Sequence, residues 1–160
     1  MALRTKNAIR RSFVELLAER PFDKISVRDI AERSEVTRNT FYYYYTDIYA
    51  LAEDVFESEI ERLSESVSDY DSWQKAFLAA TSFAAENKRM ILHLHNSAHG
   101  DILVRYYHKT ILTGMLAYIR HEAEGLDVSE RKIMALARFY TAALAGLTIE
   151  WIGSGMKGEP

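Results

Sequence analysis

Apolar residues recur at helical spacing along most of this chain. In the first stretch Ile9, Phe13, Leu16 and Leu17 fall at positions i, i+4, i+7 and i+8, which places them on one side of a helix that Pro21 ends. No run of strict apolar and polar alternation is long enough to indicate a strand. The pattern therefore predicts an all-α fold.

The predicted helices follow one another with short breaks. After the first, they cover residues 26–34, 37–44, 48–67, 73–86, 90–97, 102–124 and 129–152. A break is expected at residues 69–71, and Gly100 and Gly125 mark helix ends, because glycine adopts the left-handed conformation at low cost. We divide the chain into a small N-terminal domain, residues 1–47, and a larger helical body, residues 48–160.

The charge differs between these two parts. The whole chain carries a net charge of −3, which alone argues weakly against a nucleic-acid partner. Residues 1–47, however, carry nine Lys and Arg against seven Asp and Glu, whereas the remainder carries eleven against sixteen. The asymmetry indicates a mildly basic domain on an acidic body.

Residues 25–47 have the pattern of a helix-turn-helix. Ser26, with Asp29 three positions later, resembles a capping box at the start of one short helix, and Thr37 is a good N-cap for the next. A tight turn at residues 34–36 joins the two helices. This geometry is typical of domains that place the second helix in the major groove of DNA.

The second of these helices carries side chains suited to that task. A groove-reading helix needs small polar and basic groups at its N-terminal end, and phenol hydroxyls at its exit can reach phosphate oxygens. The predicted DNA-binding residues are Arg28, Thr37, Arg38, Asn39, Thr40, Tyr42, Tyr43 and Tyr44. Phe41 and Tyr45 are expected to face the core, since adjacent tyrosines point about 100° apart around a helix. The alternative is an exposed hairpin whose tyrosines only pack against the next helix.

Residues 9–51 resemble the DNA-binding domain of the tetracycline-repressor (TetR/AcrR) family. The matching features are the apolar first helix, the segments FDKISVRDIA at 22–31 and VTRNTFY at 36–42, and Tyr45, Asp47 and Leu51. The resemblance implies that residues 37–44 enter the major groove and that Tyr42 contacts a phosphate. It also implies a C-terminal helical body that dimerises and often holds a small ligand.

Two positions depart from the family's pattern. Glu35 stands at the turn position that is often glycine, and Ile48 stands where a basic residue usually opens the fourth helix. The first change puts a negative charge near DNA, and the second removes one expected phosphate contact. Both predict weaker or differently placed contacts with the DNA backbone.

The last predicted helix is apolar on more than one side. One stripe consists of Ile133, Leu136, Tyr140, Leu144, Leu147 and Trp151, and a second surface has the small residues Ala142, Ala143, Ala145 and Gly146. A helix of this kind needs two partners, and small residues let another helix approach closely. We therefore expect a homodimer, with Ala142, Ala143, Gly146 and Ile149 at its interface. The alternative is burial within one subunit.

Aromatic and histidine side chains of the body can form an apolar pocket with a few polar groups. The predicted ligand contacts are Phe77, His95, His99, Tyr106 and Tyr140, and for each the alternative is a core aromatic or a surface histidine. His95 and His99 have the i, i+4 spacing at which a helix can share a metal ion. No carboxylate accompanies them within the helix, so no metal and no cofactor is predicted.

Composition narrows the remaining classes of function. The chain has no cysteine, which excludes disulfides, thiolate catalysis and cysteine-ligated metal sites. The longest charge-free apolar stretch of the C-terminal half, residues 139–149, falls short of the about 20 residues that a membrane span needs. No signal peptide is visible, so a cytoplasmic protein without a membrane partner is expected.

These features together predict a TetR-type transcriptional regulator. The expected activity is ligand-responsive repression by a homodimer on a palindromic double-stranded DNA operator, in response to a small-molecule effector. An enzyme is the runner-up, but no glycine-rich phosphate loop and no Ser/His/acid set is visible. A helical interaction module that has lost DNA binding is the third possibility, motivated by Glu35 and Ile48.

Overall fold

The computed structural model describes residues 2–66 and 73–158, and within them the chain forms helices and no strand. The α-helices are α1 (Ala2–Glu19), α2 (Val27–Arg33), α3 (Arg38–Tyr44), α4 (Ile48–Ser66), α5 (Trp73–Glu86), α6 (Lys88–His95), α7 (Asp101–Glu122) and α8 (Glu130–Gly153), with a 3₁₀ turn at Phe22–Lys24. The all-α prediction is confirmed. The break predicted at residues 69–71, and Val67 at the predicted end of the fourth helix, lie outside the described residues.

The first three helices form an N-terminal head around one apolar core. Phe13 of α1, Ile30 of α2 and Phe41 of α3 are completely buried. Phe22, in the 3₁₀ turn, packs edge-on against Phe13 with ring centroids 6.0 Å apart. The apolar spacing of α1 thus supplies the surface on which the two short helices are oriented.

The capping box predicted for α2 is present. The Ser26 hydroxyl accepts a hydrogen bond from the amide of Asp29, and the Asp29 carboxylate accepts one from the amide of Ser26. These bonds satisfy backbone donors that an α-helix leaves unpaired in its first turn. A helix of seven residues thereby has a defined start.

The remaining helices form the body, in which α7 packs against α4, α5 and α8. Its buried face includes Leu103, Tyr106 and Tyr107. The head joins the body through α1, which packs against α4 and α6. The head is therefore not tethered by a linker alone.

The two glycines predicted to end helices occupy different positions: Gly125 follows the end of α7, whereas Gly100 is the residue that precedes its start. Gly125 has φ +78°, the left-handed conformation that was predicted. Gly100 has φ −59°, so the same prediction is wrong for this position. A Cβ atom on Gly100 would lie 2.6 Å from the carbonyl oxygen of His95, so glycine is needed here for close backbone approach.

Of the predicted stripe, α8 buries Ile133 alone. The buried residues are Ile133, Ala137, Thr141, Ala145, Thr148 and Ile152. Leu136, Tyr140 and Leu147 of the predicted stripe are about half exposed, at 47%, 48% and 55%. Ala137, Thr141, Ala145 and Thr148 are small, which allows α7 to approach α8 closely. A helix that is apolar around most of its circumference does not reveal by periodicity which side its own subunit covers.

The exposed apolar side of α8 lacks a cover within the described residues. By length and composition alone, α8 is the one described helix that could cross a membrane. One side of it nevertheless packs against α7 in the body. The other side is open to a partner.

Candidate nucleic-acid interface

Helix α3 is fixed by its cap and by one buried anchor. The Thr37 hydroxyl accepts a hydrogen bond of 3.1 Å from the amide of Thr40, which closes the first turn. Phe41 is completely buried in the head, and its ring meets that of Tyr45 at 5.8 Å. With Phe41 turned inward, the opposite side of α3 faces solvent.

Polar and basic groups cover that outward side. Arg38 and Asn39 are exposed near the helix start. A guanidinium group can bind the acceptor edge of guanine, and a carboxamide the edge of adenine, each through two hydrogen bonds. The hydroxyls of Thr37 and Thr40 lie 2.9 Å apart, so each already has a partner within the helix. The arrangement can read base edges chiefly through Arg38 and Asn39.

The four consecutive tyrosines differ in exposure. Tyr42 and Tyr43 are 55% and 81% exposed, so their hydroxyls can reach phosphate oxygens. Tyr45 is 5% exposed and belongs to the core, as predicted. Tyr44 is half-buried against the core, with its ring 5.0 Å from that of Tyr43. Among the predicted phosphate contacts, Tyr44 is therefore less accessible than its two predecessors.

Arg28 is already engaged within α2. Its Nε donates a hydrogen bond of 2.6 Å to Glu32, one helical turn further on. The carboxylate raises the pKa of Arg28, a group that is charged at neutral pH in any case. Contact with a phosphate would require the guanidinium to exchange one anionic partner for another.

The turn between α2 and α3 explains why glycine is common there in the resembling family. Glu35 has φ +56°, a left-handed conformation that glycine adopts without steric cost. The amide of the next residue, Val36, bonds to the carbonyl of Ala31 at 3.0 Å and completes the turn. The chain thus keeps the turn geometry with a residue that is strained in it.

The start of α4 also retains its geometry without the expected basic residue. Ile48 is half-buried against the core, and the carboxylate of Asp47 accepts a 2.7 Å hydrogen bond from the amide of Ala50. Asp47 therefore caps α4 in the manner of an N-cap residue. Ile48 contributes apolar packing in place of a phosphate contact.

Two family models match the chain. The model described as "Transcriptional regulator C-terminal region" matches residues 71–160, more than half of the chain, and the model "Bacterial regulatory proteins, tetR family" matches residues 10–55. The chain belongs to the TetR family of bacterial transcriptional regulators. Members of this family regulate transcription and are not enzymes.

Relatives of this TetR-family regulator support the assignment along most of its length. It is 24% identical over 97% of its residues to the HTH-type dhaKLM operon transcriptional activator DhaS of Lactococcus lactis subsp. lactis (strain IL1403), of which it covers 83%. It is 29% identical over 85 residues to the uncharacterised HTH-type transcriptional regulator YxbF of Bacillus subtilis (strain 168). That match spans 53% of this chain and 21% of YxbF.

Solved structures show the same fold. The dihydroxyacetone kinase operon activator DhaS superposes with a TM-score of 0.72 at 24% identity, over 94% of this chain and 85% of the other. NalD, the secondary repressor of the MexAB-OprM multidrug efflux pump in Pseudomonas aeruginosa, superposes with a TM-score of 0.62 at 17% identity. That match covers 99% of this chain and 89% of NalD.

In this TetR-family chain, the head is held to the body partly by two histidines. His93 Nδ1 of α6 lies 2.7 Å from the carbonyl oxygen of Leu17, at the end of α1. The His99 ring contacts Phe22 of the head at 4.9 Å and Tyr49 of α4 at 5.3 Å. Both contacts join segments far apart in sequence, so no local pattern indicates them.

The N-terminal half of α1 is held by Asp54 of α4, a residue that the sequence did not indicate. Its carboxylate accepts hydrogen bonds from Lys6, Arg10 and Tyr45. Burial alone would raise the pKa of the Asp54 carboxyl, but the bonds from Arg10, Tyr45 and Lys6 outweigh burial and hold it well below its usual range. The only sequence signal is an acidic residue between apolar positions of α4.

The predicted ligand residues do not come together in one site. Helix α6 ends at His95, so His99 lies beyond it, and the helical spacing assumed for this pair does not hold. His95 borders Gly153 of α8, and His99 belongs to the head–body contact. Tyr140 points away from the body on the exposed side of α8.

The other two predicted ligand residues lie in the body. Phe77 is half-buried on α5. Tyr106 lies in an aromatic cluster with Phe56 and Phe83, at ring distances of 5.1 Å and 6.0 Å. Its buried hydroxyl makes no hydrogen bond within the described residues. In the part of the chain that the structure describes, no group of three metal-ligating side chains is assembled.

Two open clefts of about 390 Å³ each offer space for a small molecule. One lies between α4 and α7, with Phe56, Ile60 and Ile102 among its apolar lining and Tyr106 beside them. The other lies where α1 meets α4 and the α5–α6 region, and includes Val14. Among the five predicted ligand residues, Tyr106 lines the first cleft.

The predicted dimerisation residues occupy two environments. Ala142, Ala143 and Gly146 are exposed, whereas Ile149 is half-buried against the subunit's own core. The exposed small residues lie beside larger exposed apolar residues that are not among the predicted interface residues. These are Leu136, Phe139, Tyr140 and Leu147. We call this set, with Ala143 and Gly146, the outer face of α8.

Proposed function

We propose that this regulator is a homodimer that binds a palindromic operator in the cytoplasm and represses transcription until a small molecule binds its body. The observation that carries the proposal is the arrangement of α3. Phe41 fixes the helix in the head, while Arg38, Asn39 and Tyr42 are exposed on its other side. Within this proposal, Arg38 and Asn39 read base edges, and Tyr42 and Tyr43 contact phosphates.

The outer face of α8 supports the homodimer. Phe139 and Leu147 are 68% and 55% exposed, with Ala143 and Gly146 beside them. Exposed apolar residues that are contiguous with small ones suit a close helix contact, and burying them is favourable by about 25 cal/mol per Å². Two-fold pairing would present two α3 helices to half-sites about 34–36 Å apart. A lipid surface is the competing occupant, and the oligomeric state in detergent-free solution separates the two.

Ligand response is supported by the cleft between α4 and α7. Helix α4 forms one wall of this cleft and also carries Asp54, which holds the head. A molecule that binds in only one arrangement of α4 would shift the population toward that arrangement. The separation of the two heads would change with it, and only one separation fits the operator.

Repression is the simpler direction of regulation. A dimer that occupies an operator can exclude the transcription machinery without any further contact, whereas activation requires an additional favourable interaction. DhaS is named an activator and NalD a repressor, so relatives of both kinds share this fold. A reporter gene placed under the operator tests the direction: deletion of the regulator raises expression if it represses and lowers expression if it activates.

DNA binding is tested by gel shift with the DNA upstream of this protein's own gene. Wild type is compared with Arg38→Ala and Tyr42→Phe, and Arg131→Ala, an exposed arginine of α8, is the matched control. Loss of a base-reading arginine should weaken binding by about 1–3 kcal/mol, roughly 5- to 150-fold. Loss of the Tyr42 hydroxyl should weaken binding to all sequences.

The same gel-shift experiment can also exclude DNA binding. If wild type shows no preference for any fragment of its own genome, and its weak binding lacks a steep salt dependence, the DNA-binding function is excluded. The chain would then be an interaction module of the same fold, for which the charge of Glu35 and the loss of a basic residue at Ile48 would be the reasons.

A further inference from the structure

One carboxylate joins three side chains of the head to the body. Asp54 lies on α4, and Arg10 of α1 donates to it from Nε at 2.6 Å and from Nη2 at 2.7 Å. Lys6 donates at 2.9 Å, and the Tyr45 hydroxyl donates at 2.6 Å. The four bonds use both carboxylate oxygens. We call this group the Asp54 clamp.

The clamp is one residue away from the DNA-reading helix. Tyr45 is the C-cap of α3, and its backbone amide bonds to the carbonyl of Phe41. The Tyr45 ring is buried, and the Lys6 ammonium lies over it at 5.8 Å from the ring centre. The direction of α3 is thus coupled to Asp54 through a rigid aromatic side chain.

The geometry of the clamp fixes an angle as well as a distance. A planar guanidinium that donates two bonds to one carboxylate restricts the relative orientation of the helices carrying the two groups. Asp54 is 24% exposed, so the contacts are less screened by salt than those on the open surface. Arg10 therefore sets the direction of α1 against α4, and Tyr45 sets that of α3.

Neighbouring acids on α4 point elsewhere. Glu53 pairs with Arg105 at 2.9 Å, and Glu57 pairs with Lys109 at 2.5 Å, both on α7. One side of α4 is therefore bound to the body and another to the head. Asp54 is the acid of this helix that faces α1 among the described ion pairs.

We propose that Asp54 is a positioning residue for DNA binding: it fixes the angle between α3 and α4 and thereby sets which half-site spacing the dimer accepts. This inference rests on the proposed homodimer. In a dimer whose contacts lie in the body, the distance between the two α3 helices depends on the angle between each head and the α4 helix of the same subunit. Asp54 touches no DNA and acts through Tyr45 and Arg10.

The test compares Asp54→Asn with wild type on DNA duplexes that carry two copies of the wild-type half-site. The half-site is taken from the wild-type footprint, and the spacer between copies is varied one base pair at a time. The side-chain amide keeps the shape of the carboxylate but not its charge. Glu57→Gln, on the same helix, is the matched control.

We expect wild type and Glu57→Gln to prefer one spacing by about tenfold over its neighbours, and Asp54→Asn to prefer it by about twofold or less. Binding of Asp54→Asn to a single half-site should be unchanged. A residue that only stabilised the fold would lower binding equally at every spacing. Tyr45→Phe, which removes one bond and keeps the ring, should give an intermediate preference and serves if Asp54→Asn does not fold.

Two results would overturn the inference and can be told apart. If Asp54→Asn and Tyr45→Phe both keep the full spacing preference of wild type, the clamp does not position the heads. If wild type itself binds DNA of every spacing with equal affinity, the proposal that a homodimer binds two half-sites is wrong. The proposed role of Asp54 is then wrong as well.

Discussion

His93 Nδ1 lies 2.7 Å from the carbonyl oxygen of Leu17, which connects α6 of the body to the last turn of α1 in the head. The final carbonyls of a helix have no partner within it, so this hydrogen bond satisfies an acceptor that would otherwise depend on water. The contact spans 76 residues of sequence. It ties the head to the body near the C-terminal end of α1, whereas the Asp54 clamp holds the N-terminal half of the same helix.

His93→Ala should therefore lower the free energy of unfolding by about 1 kcal/mol, the contribution of a typical hydrogen bond. His93→Phe keeps a ring without the donor and separates the bond from packing. Urea unfolding at a single protein concentration measures the free energy of unfolding of both His93 variants. The control is His108→Ala, which changes an exposed histidine of α7. Equal midpoints for His93→Ala and His108→Ala would show that the contact contributes nothing.

Glu35 should be replaceable by glycine with a gain in DNA affinity. Its φ of +56° costs an L-residue about 1 kcal/mol, part of which glycine loses again through its greater freedom in the unfolded chain. Glu35→Gly should thus be as stable as wild type or slightly more stable, and it removes a negative charge beside α3. We expect a few-fold tighter DNA binding in a fluorescence anisotropy titration.

Glu35→Gln separates the two effects, because it removes the charge and keeps the side chain. If charge dominates, the glutamine and glycine variants should bind DNA equally tightly. The gain should shrink as salt is raised, since a charge near the DNA surface is screened. A Glu35→Gly protein that unfolds well before wild type would show that the turn is not strained.

The head could be predicted well from sequence because its signals are local. Ser26 and Asp29 form the expected capping box, and Phe41 and Tyr45 are buried as their helical positions require. Each signal acts within a few residues, where spacing and chemistry decide the outcome. The accessibility of Tyr44 was harder to foresee, because it depends on packing with the neighbouring rings.

The body could be predicted only as a set of helices. Its last helix is apolar around most of its circumference, so the sequence could not show that Ala137 faces α7 while Phe139 faces outward. The Asp54 clamp was equally hidden, because Arg10 lies 44 residues away along the chain. Long-range pairing of charges depends on how helices cross, and one sequence does not fix those angles.

The outer face of α8 should carry the dimer. Phe139→Asp and Leu147→Asp each place a charge in a face that the proposed dimer buries, so both should shift the protein from dimer to monomer. Leu78→Asp, at an exposed apolar position of α5, should leave the dimer intact. Sedimentation velocity at micromolar concentration distinguishes the two states. A wild type that sediments as a monomer, or a Phe139→Asp variant that sediments as a dimer, would exclude this interface.

Acid should remove the stability that the Asp54 clamp provides. Hydrogen bonds from Arg10, Tyr45 and Lys6 outweigh the opposing effect of burial and depress the pKa of Asp54 below its unfolded value, about 3.9. A carboxyl with a depressed folded-state pKa contributes its full stabilisation above the unfolded pKa and loses it as the pH falls through the folded pKa. At pH 7, Asp54→Asn should cost about 2 kcal/mol of unfolding free energy.

That difference between wild type and Asp54→Asn should narrow progressively as the pH falls below about 4. Other carboxyls with depressed pKa values, such as Asp29, titrate in both proteins, so the comparison isolates Asp54. Urea unfolding at a series of pH values, at fixed protein concentration, measures the gap. Glu57→Gln, which removes an exposed carboxylate bound to α7, should show a far smaller gap at pH 7. A gap for Asp54→Asn that stays constant from pH 7 into the acid range would mean that the charge of Asp54 is not what stabilises the clamp.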